Sequence, residues 1–172
     1  MSRPMVRAVA AGLALLACSE AEQTTLSGPQ LSAGGNGVQS SATGSGHYIA
    51  GDQIRTLAFS AVQYADGSAS GEYQIDVHAS NTSFHVSVTC LSVVGNTAWI
   101  AGVIDWSSGP PVLPGTVSYF YAIDNGEGSG AAPDIVSVAR INDRPEADEE
   151  FCTTRPLALP PRDVVHGNVQ VR

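Results

Sequence analysis

Lysine is absent from this chain. All eight basic residues are arginines, set against sixteen Asp and Glu, for a formal net charge of −8 over 172 residues. Such a surface repels nucleic-acid phosphates and anionic lipid, and no basic patch interrupts it, which argues against a nucleic-acid partner. Long apolar runs are lacking after the first seventeen residues, so no later segment offers the ~20 residues that a membrane-crossing helix needs. Also missing are the CxxC and HExxH spacings of transition-metal sites, the alternating ligands of an EF-hand and the GxSxG elbow of nucleophilic hydrolases. Hydrolysis by paired carboxylates stays open, because such residues meet only in space.

What is present begins with an export signal. Arg3 and Arg7 supply a positive start, Ala8 to Ala17 is uncharged, apolar and too short to span a bilayer, and Leu15-Leu16-Ala17-Cys18 has the order of a lipobox. The expectation is a lipoprotein signal peptide over residues 1–17, with Cys18 carrying the lipid. An ordinary secretory signal cut near Ala17 or Ala21 is the simpler alternative. Taking 17 residues from 172 leaves 155, enough for one domain with a core of its own. Losing Arg3 and Arg7 leaves six arginines against sixteen acids, a net charge of −10.

Two cysteines remain, Cys90 and Cys152. In an exported protein such a pair reads as a disulfide, and closing so long a loop stabilises a fold by about 4 kcal/mol in the chain-entropy picture. Two buried, inert thiols are the other reading.

Residues 18–45 are rich in Ser, Gly, Thr, Ala, Gln and Asn, with Leu26 and Leu31 isolated. Too little apolar surface is available there to offset ordering entropy, so a flexible tether is expected. The folded domain is expected over 46–172, and its period is two. Tyr73, Ile75 and Val77 alternate with Glu72, Gln74, Asp76 and His78, and Phe84, Val86, Val88 and Cys90 follow the same rule. The pattern thickens at Leu91, Val93 and Val94, which suggests a bulge or burial on both faces. Further strands are expected over 54–64, 97–106, 117–123, 135–141 and 168–171, separated by turns such as Asp66-Gly67 and Gly95-Asn96 and by the proline-rich stretch 107–115. No segment after the signal reads as an amphipathic helix. The fold expected is all-β, an antiparallel sandwich or partly closed barrel of seven or eight short strands, largely a meander, with the last strand paired to an earlier one.

Several landmarks recur in order: Asp66-Gly67 with Gly71, Val88-Thr89-Cys90-Leu91, Gly95-Asn96-Thr97-Ala98, Asp124-Asn125-Gly126-Glu127, Asp134, and Gly167-Asn168-Val169-Gln170-Val171. Together they resemble the post-COAP domain, a β-rich module of exported bacterial proteins, over about residues 46–172. The resemblance implies a small β domain without catalytic residues to carry over.

Five groups of residues come into question for chemistry. Asp124, Asn125, Glu127 and Asp134 bring oxygen donors to a glycine-flexed loop, the ligand type calcium takes, although the same residues also hydrogen-bond their own turn. The run Glu146 to Glu150 reads as a solvated loop. The glycines at 126, 128 and 130 do not form a phosphate loop, since Pro133 and a strand follow where a helix N-terminus is needed. His47, His78, His85 and His166 lack metal-ligand spacing and read as scattered surface residues; of these, His78 and His85 flank a turn and could approach each other. Finally, Trp99, Trp106, Tyr119, Phe120 and Tyr121 concentrate the aromatics. Neighbours on a strand face opposite ways, so either both faces are buried or one ring is left to stack on a glycan or a protein partner.

The expected function is therefore that of a non-catalytic, lipid-anchored module of the bacterial envelope, periplasmic or surface-facing, acting in adhesion, binding or assembly. A small envelope hydrolase using dispersed carboxylates is the alternative.

Overall fold

The computed structural model describes residues 37–128 and 130–172. The expected signal peptide, Cys18 and most of the expected tether lie outside the described residues. Six long strands come first: β1 (Val38–Ala50), β2 (Gln53–Tyr64), β3 (Ala69–Val77), β4 (Thr82–Val94), β5 (Thr97–Ser107) and β6 (Val117–Ile123). Two short strands, β7 (Ile135–Ser137) and β8 (Arg140–Asn142), lead to a helix, α1 (Ala147–Thr154), and then to β9 (Pro161–Asp163) and β10 (His166–Val171).

All ten strands belong to one antiparallel sheet, ordered β10-β1-β2-β3-β4-β5-β6-β7-β9, with β8 beside β6. The meander over the first six strands and the return of the last strand to the first are as the alternation and turns imply. The sheet curls into a half-barrel, and the chain passes from β9 on one margin to β10 on the other through two residues. There Val164 N–H donates to the Asp134 carbonyl and Val165 N–H to the His47 carbonyl, each at 2.8 Å.

The inward face carries the main core. Phe59, Tyr73 and Phe120 meet edge to face, with Phe120 centred 5.4 Å from Phe59 and 5.0 Å from Tyr73. Ile75, Phe84, Val86, Val88, Ile100, Ile104 and Val169 are buried around them. Irregular register between Val88 and Cys90 turns Cys90 outward and Leu91 inward, which accounts for the thickened apolar pattern.

Three expectations are corrected. The domain begins before Gly46, because Val38 to Ser45 is the first half of β1. This small, polar segment is a strand because β10 and β2 bond both of its edges, so neighbours supply what propensity does not. Smallness is required there: a Cβ on Gly44 would lie 2.6 Å from the Phe59 ring.

The single strand expected over 135–141 is two. Ser137 Oγ accepts the Tyr121 N–H at 2.9 Å, and Val138 N–H turns away to the Pro160 carbonyl, so the ladder along β6 is broken between β7 and β8.

The acidic run does not form a loop but starts a helix. Asp148, Glu149 and Glu150 occupy the first turn of α1, where the helix dipole favours negative charge. Ala147 and Phe151, four residues apart, bury one side, and Arg155 ends the helix in the left-handed conformation with its N–H on the Phe151 carbonyl. With two buried residues in eight, the amphipathic pattern is too short to stand out in sequence.

Helix α1 covers the outer face of β5 and β6, where Trp99, Ala101, Tyr121 and Phe151 form a second core. Both faces of β6 are therefore buried, with Phe120 inside and Tyr121 beneath the helix. The surplus ring lies elsewhere, at Trp106, which is 53 % exposed.

Candidate functional site

Cys90 and Cys152 are joined as a disulfide with Cα atoms 6.3 Å apart, tying α1 to β4. Residues around it, including Thr89, Ser92, Asp148 and Arg155, line a polar cleft. Arg155 Nε donates to Ser92 Oγ at 2.9 Å, and Thr89 donates to the Asp148 carboxylate.

The calcium candidates are engaged otherwise. Asp134 is buried; its Oδ1 accepts the Asn125 N–H at 2.8 Å and its Oδ2 accepts the Val169 N–H at 2.7 Å. Asp124 accepts from Gly126 N–H and from Val171 N–H. Asn125 donates its side-chain amide to the Pro133 carbonyl, and Glu127 accepts from the Asn168 amide. The carboxylates of Asp124 and Asp134 thus serve as acceptors for the outer edge of β10, whose N–H groups would otherwise point away from any strand. Among the described residues no group of three or more His, Cys, Asp and Glu is arranged to hold a metal ion.

The histidines are not scattered. His47 and His166 are cross-strand partners on β1 and β10, with ring centres 6.4 Å apart, and His78 comes within 6.2 Å of His47. Thr56 Oγ1 joins them, 2.9 Å from His47 Nδ1 and 2.8 Å from His78 Nε2. His78 and His85 do not meet. His85 instead sits between two acids, with Asp105 2.8 Å from Nδ1 and Glu72 3.2 Å from Nε2. The Asp105 hydrogen bond outweighs partial desolvation and raises the His85 pKa above the ordinary imidazole value, while Ser87 and His85 lower that of Asp105. Ser87 donates to Asp105, not to the imidazole. A serine nucleophile needs the histidine itself as proton acceptor, so this order is unsuited to nucleophilic catalysis.

The arrangement that sequence reading missed lies at one end of the half-barrel. Gln53, Arg55, Val77, Phe84, Val112, Ala139 and Ile141 are among the residues lining a cavity of about 450 Å³ at the mouth. Arg55 shares the inward face of β2 with Leu57, Phe59 and Ala61, and is the cross-strand partner of Tyr48 on β1. Arg55 Nε and the hydroxyls of Tyr48, Tyr73 and Ser118 are buried, and none of them has a hydrogen-bond partner outside this group.

The four are neighbours in charge as well as in space. Burial raises the Tyr48 pKa while the nearby Arg55 cation opposes the rise; burial raises that of Tyr73 far more, with Ser118 opposing and Tyr48 adding to it. A line of polar groups with no partner outside it therefore runs from Arg55 through Tyr48 and Tyr73 to Ser118, flanked by apolar side chains. One signal in the sequence points to it: Arg55 is a charge on the same strand face as Leu57, Phe59 and Ala61.

Compared with known protein families, curated proteins and solved structures, the chain has no match.

Proposed function

We propose that this chain is a non-catalytic binding module of the bacterial cell envelope, held by a lipid on Cys18 and facing the periplasm or the cell surface, which takes a small ligand into the mouth of its half-barrel. The observation that carries the binding role is Arg55, which lines a concave, largely apolar cavity with no carboxylate to pair with and with its buried Nε unbonded. Native proteins satisfy the great majority of buried polar atoms, and a few convergent polar groups in an apolar pocket are the usual make-up of a small-molecule site. The envelope location rests on Leu15-Leu16-Ala17-Cys18, on a cysteine pair suited to an oxidising compartment, and on the turn motifs that resemble an exported β module.

Two experiments test these halves separately. Cys18→Ala should move the protein from the membrane fraction to the soluble fraction, and retention on the membrane would remove the lipid anchor from the proposal. For the cavity, a neutral apolar fluorophore such as Nile red should bind the full-chain protein and brighten. Ala139→Phe, which fills the mouth, should abolish the signal with an unchanged far-UV circular dichroism spectrum. A wild-type protein that does not bind the dye, or a variant that binds it equally, would overturn the binding role.

A further inference from the structure

We infer that the ligand of the mouth cavity is an amphipathic monocarboxylic acid of short to medium chain length, its carboxylate on Arg55 and its hydrocarbon against Val77, Phe84, Val112 and Ile141. This rests on the binding role proposed above and names the class of ligand.

Charge makes the first selection. In a chain with twice as many acids as arginines, a cation has abundant partners to choose from. Arg144, for example, reaches both Glu146 and Glu150. Arg55 reaches none: no carboxylate among the described residues pairs with it, its one polar neighbour is the uncharged Tyr48 hydroxyl, and its buried Nε has no hydrogen-bond partner. A guanidinium stays charged, and a buried charge without a counterion is costly, so an anion brought to it recovers more free energy here than at the surface.

The donor set makes the second selection. Arg55 is the one cation lining the cavity, and Tyr48, its neutral cross-strand neighbour, stands against it outside that lining. One positive charge balances one negative charge. A phosphate monoester brings nearly two, with three acceptor oxygens, and the only other cavity-lining groups able to donate are uncharged: Gln53, Ser80 and Thr82. A carboxylate has two coplanar oxygens, which suit the planar guanidinium fork.

The wall makes the third. Val77, Phe84, Val112, Ala139 and Ile141 line the cavity beyond Arg55, and Ile141 is 41 % exposed at the rim. This is a surface for methylene groups. A volume of about 450 Å³ lies toward the lower end of ligand sites, which limits the chain length.

Isothermal titration calorimetry on the full-chain protein, with octanoate, octanol and octyl phosphate as probes, tests the assignment. At neutral pH octanoate should bind at least tenfold more tightly than octanol, and more tightly than octyl phosphate. Lengthening hexanoate to octanoate should tighten binding about fourfold per methylene. Arg55→Met should reduce octanoate to the level of octanol while leaving octanol itself unchanged. Equal binding of acid and alcohol, or octanoate affinity that survives Arg55→Met, would overturn the carboxylate assignment while leaving an apolar binding site standing. Tighter binding of octyl phosphate would replace the carboxylate with a phosphate ester. Failure of every probe, together with failure of Nile red, would remove the site altogether.

Discussion

Asp134 Oδ2 accepts the backbone N–H of Val169 at 2.7 Å, across 35 residues of chain. One buried carboxylate thereby joins the loop after β6 to the last strand, and its other oxygen holds the Asn125 N–H of the same loop. Asp124 repeats the arrangement two residues further along β10, at Val171. The open edge of β10 is thus satisfied by side chains where a further strand would have supplied carbonyls, which lets the half-barrel end there without exposing a template for strand addition.

Asp134→Ala should therefore destabilise the fold substantially. Two charge-assisted hydrogen bonds are lost and a buried N–H is left unpaired, at a cost of roughly 3 kcal/mol or more. Thermal unfolding should record a fall in Tm of about 10 °C. Asp124→Ala, at a more exposed position, should cost less. A Tm unchanged by Asp134→Ala would mean that β10 is held by β1 alone.

Millimolar calcium should leave the melting temperature unchanged. Both oxygens of Asp124 and of Asp134 already accept backbone hydrogen bonds, and a cation would have to displace them. A rise in Tm with calcium, lost in Asp124→Asn with Asp134→Asn, would show that the loop rearranges to bind it.

Reduction of Cys90–Cys152 should lower stability by up to about 4 kcal/mol and loosen α1 from β4. Alkylation followed by intact-mass analysis should show no free thiol at either position before reduction, and two after it. Two labelled thiols in oxidised native protein would exclude the bond.

The His85 pair predicts a pH dependence with a definite sign. Its pKa is raised in the folded state, chiefly by the Asp105 hydrogen bond. The stabilisation is therefore complete below the unfolded imidazole value of about 6.5 and is lost as pH rises through the higher folded value. The pair lies at the surface, so the effect on Tm should be small. An NMR titration of the ring should give a midpoint above that of His85 in the Asp105→Asn variant, and equal midpoints would sink the explanation.

Arg55→Met should raise the stability of the ligand-free protein by about 1–3 kcal/mol, since it removes a partly buried charge with no counterion and keeps the length of the side chain. Chemical denaturation would measure it. A loss of stability would mean that Arg55 contributes to holding the barrel together, not to the uptake of a ligand.

Much of the sheet was legible because alternation is a local property. Glu72 to Val77 and Phe84 to Val88 show their inward and outward residues without reference to any neighbour, and Asp66-Gly67 and Gly95-Asn96 mark turns by their own backbone preferences. Less legible were β1 and α1, for opposite reasons. Val38 to Ser45 has the composition of a tether and is a strand only because β2 and β10 lie on either side of it. Ala147 to Thr154 is helical, but a single buried pair, Ala147 and Phe151, is all the pattern that eight residues can carry.

The candidate site was the least legible part. The sequence alone determined the strand class of the chain, the faces of its longer strands, the cysteine pair and an arginine on an apolar face, because each depends on residues a few positions apart or on composition. Only the tertiary structure decided that Tyr48 would stand beside Arg55 with no acid paired to it, that His78 and His166 would gather around His47, and that Asp124 and Asp134 would serve the edge of β10. Those relationships depend on how far the sheet curls and where the chain returns. Curl and return are set by the packing of the whole inward face, and no local stretch of sequence encodes them.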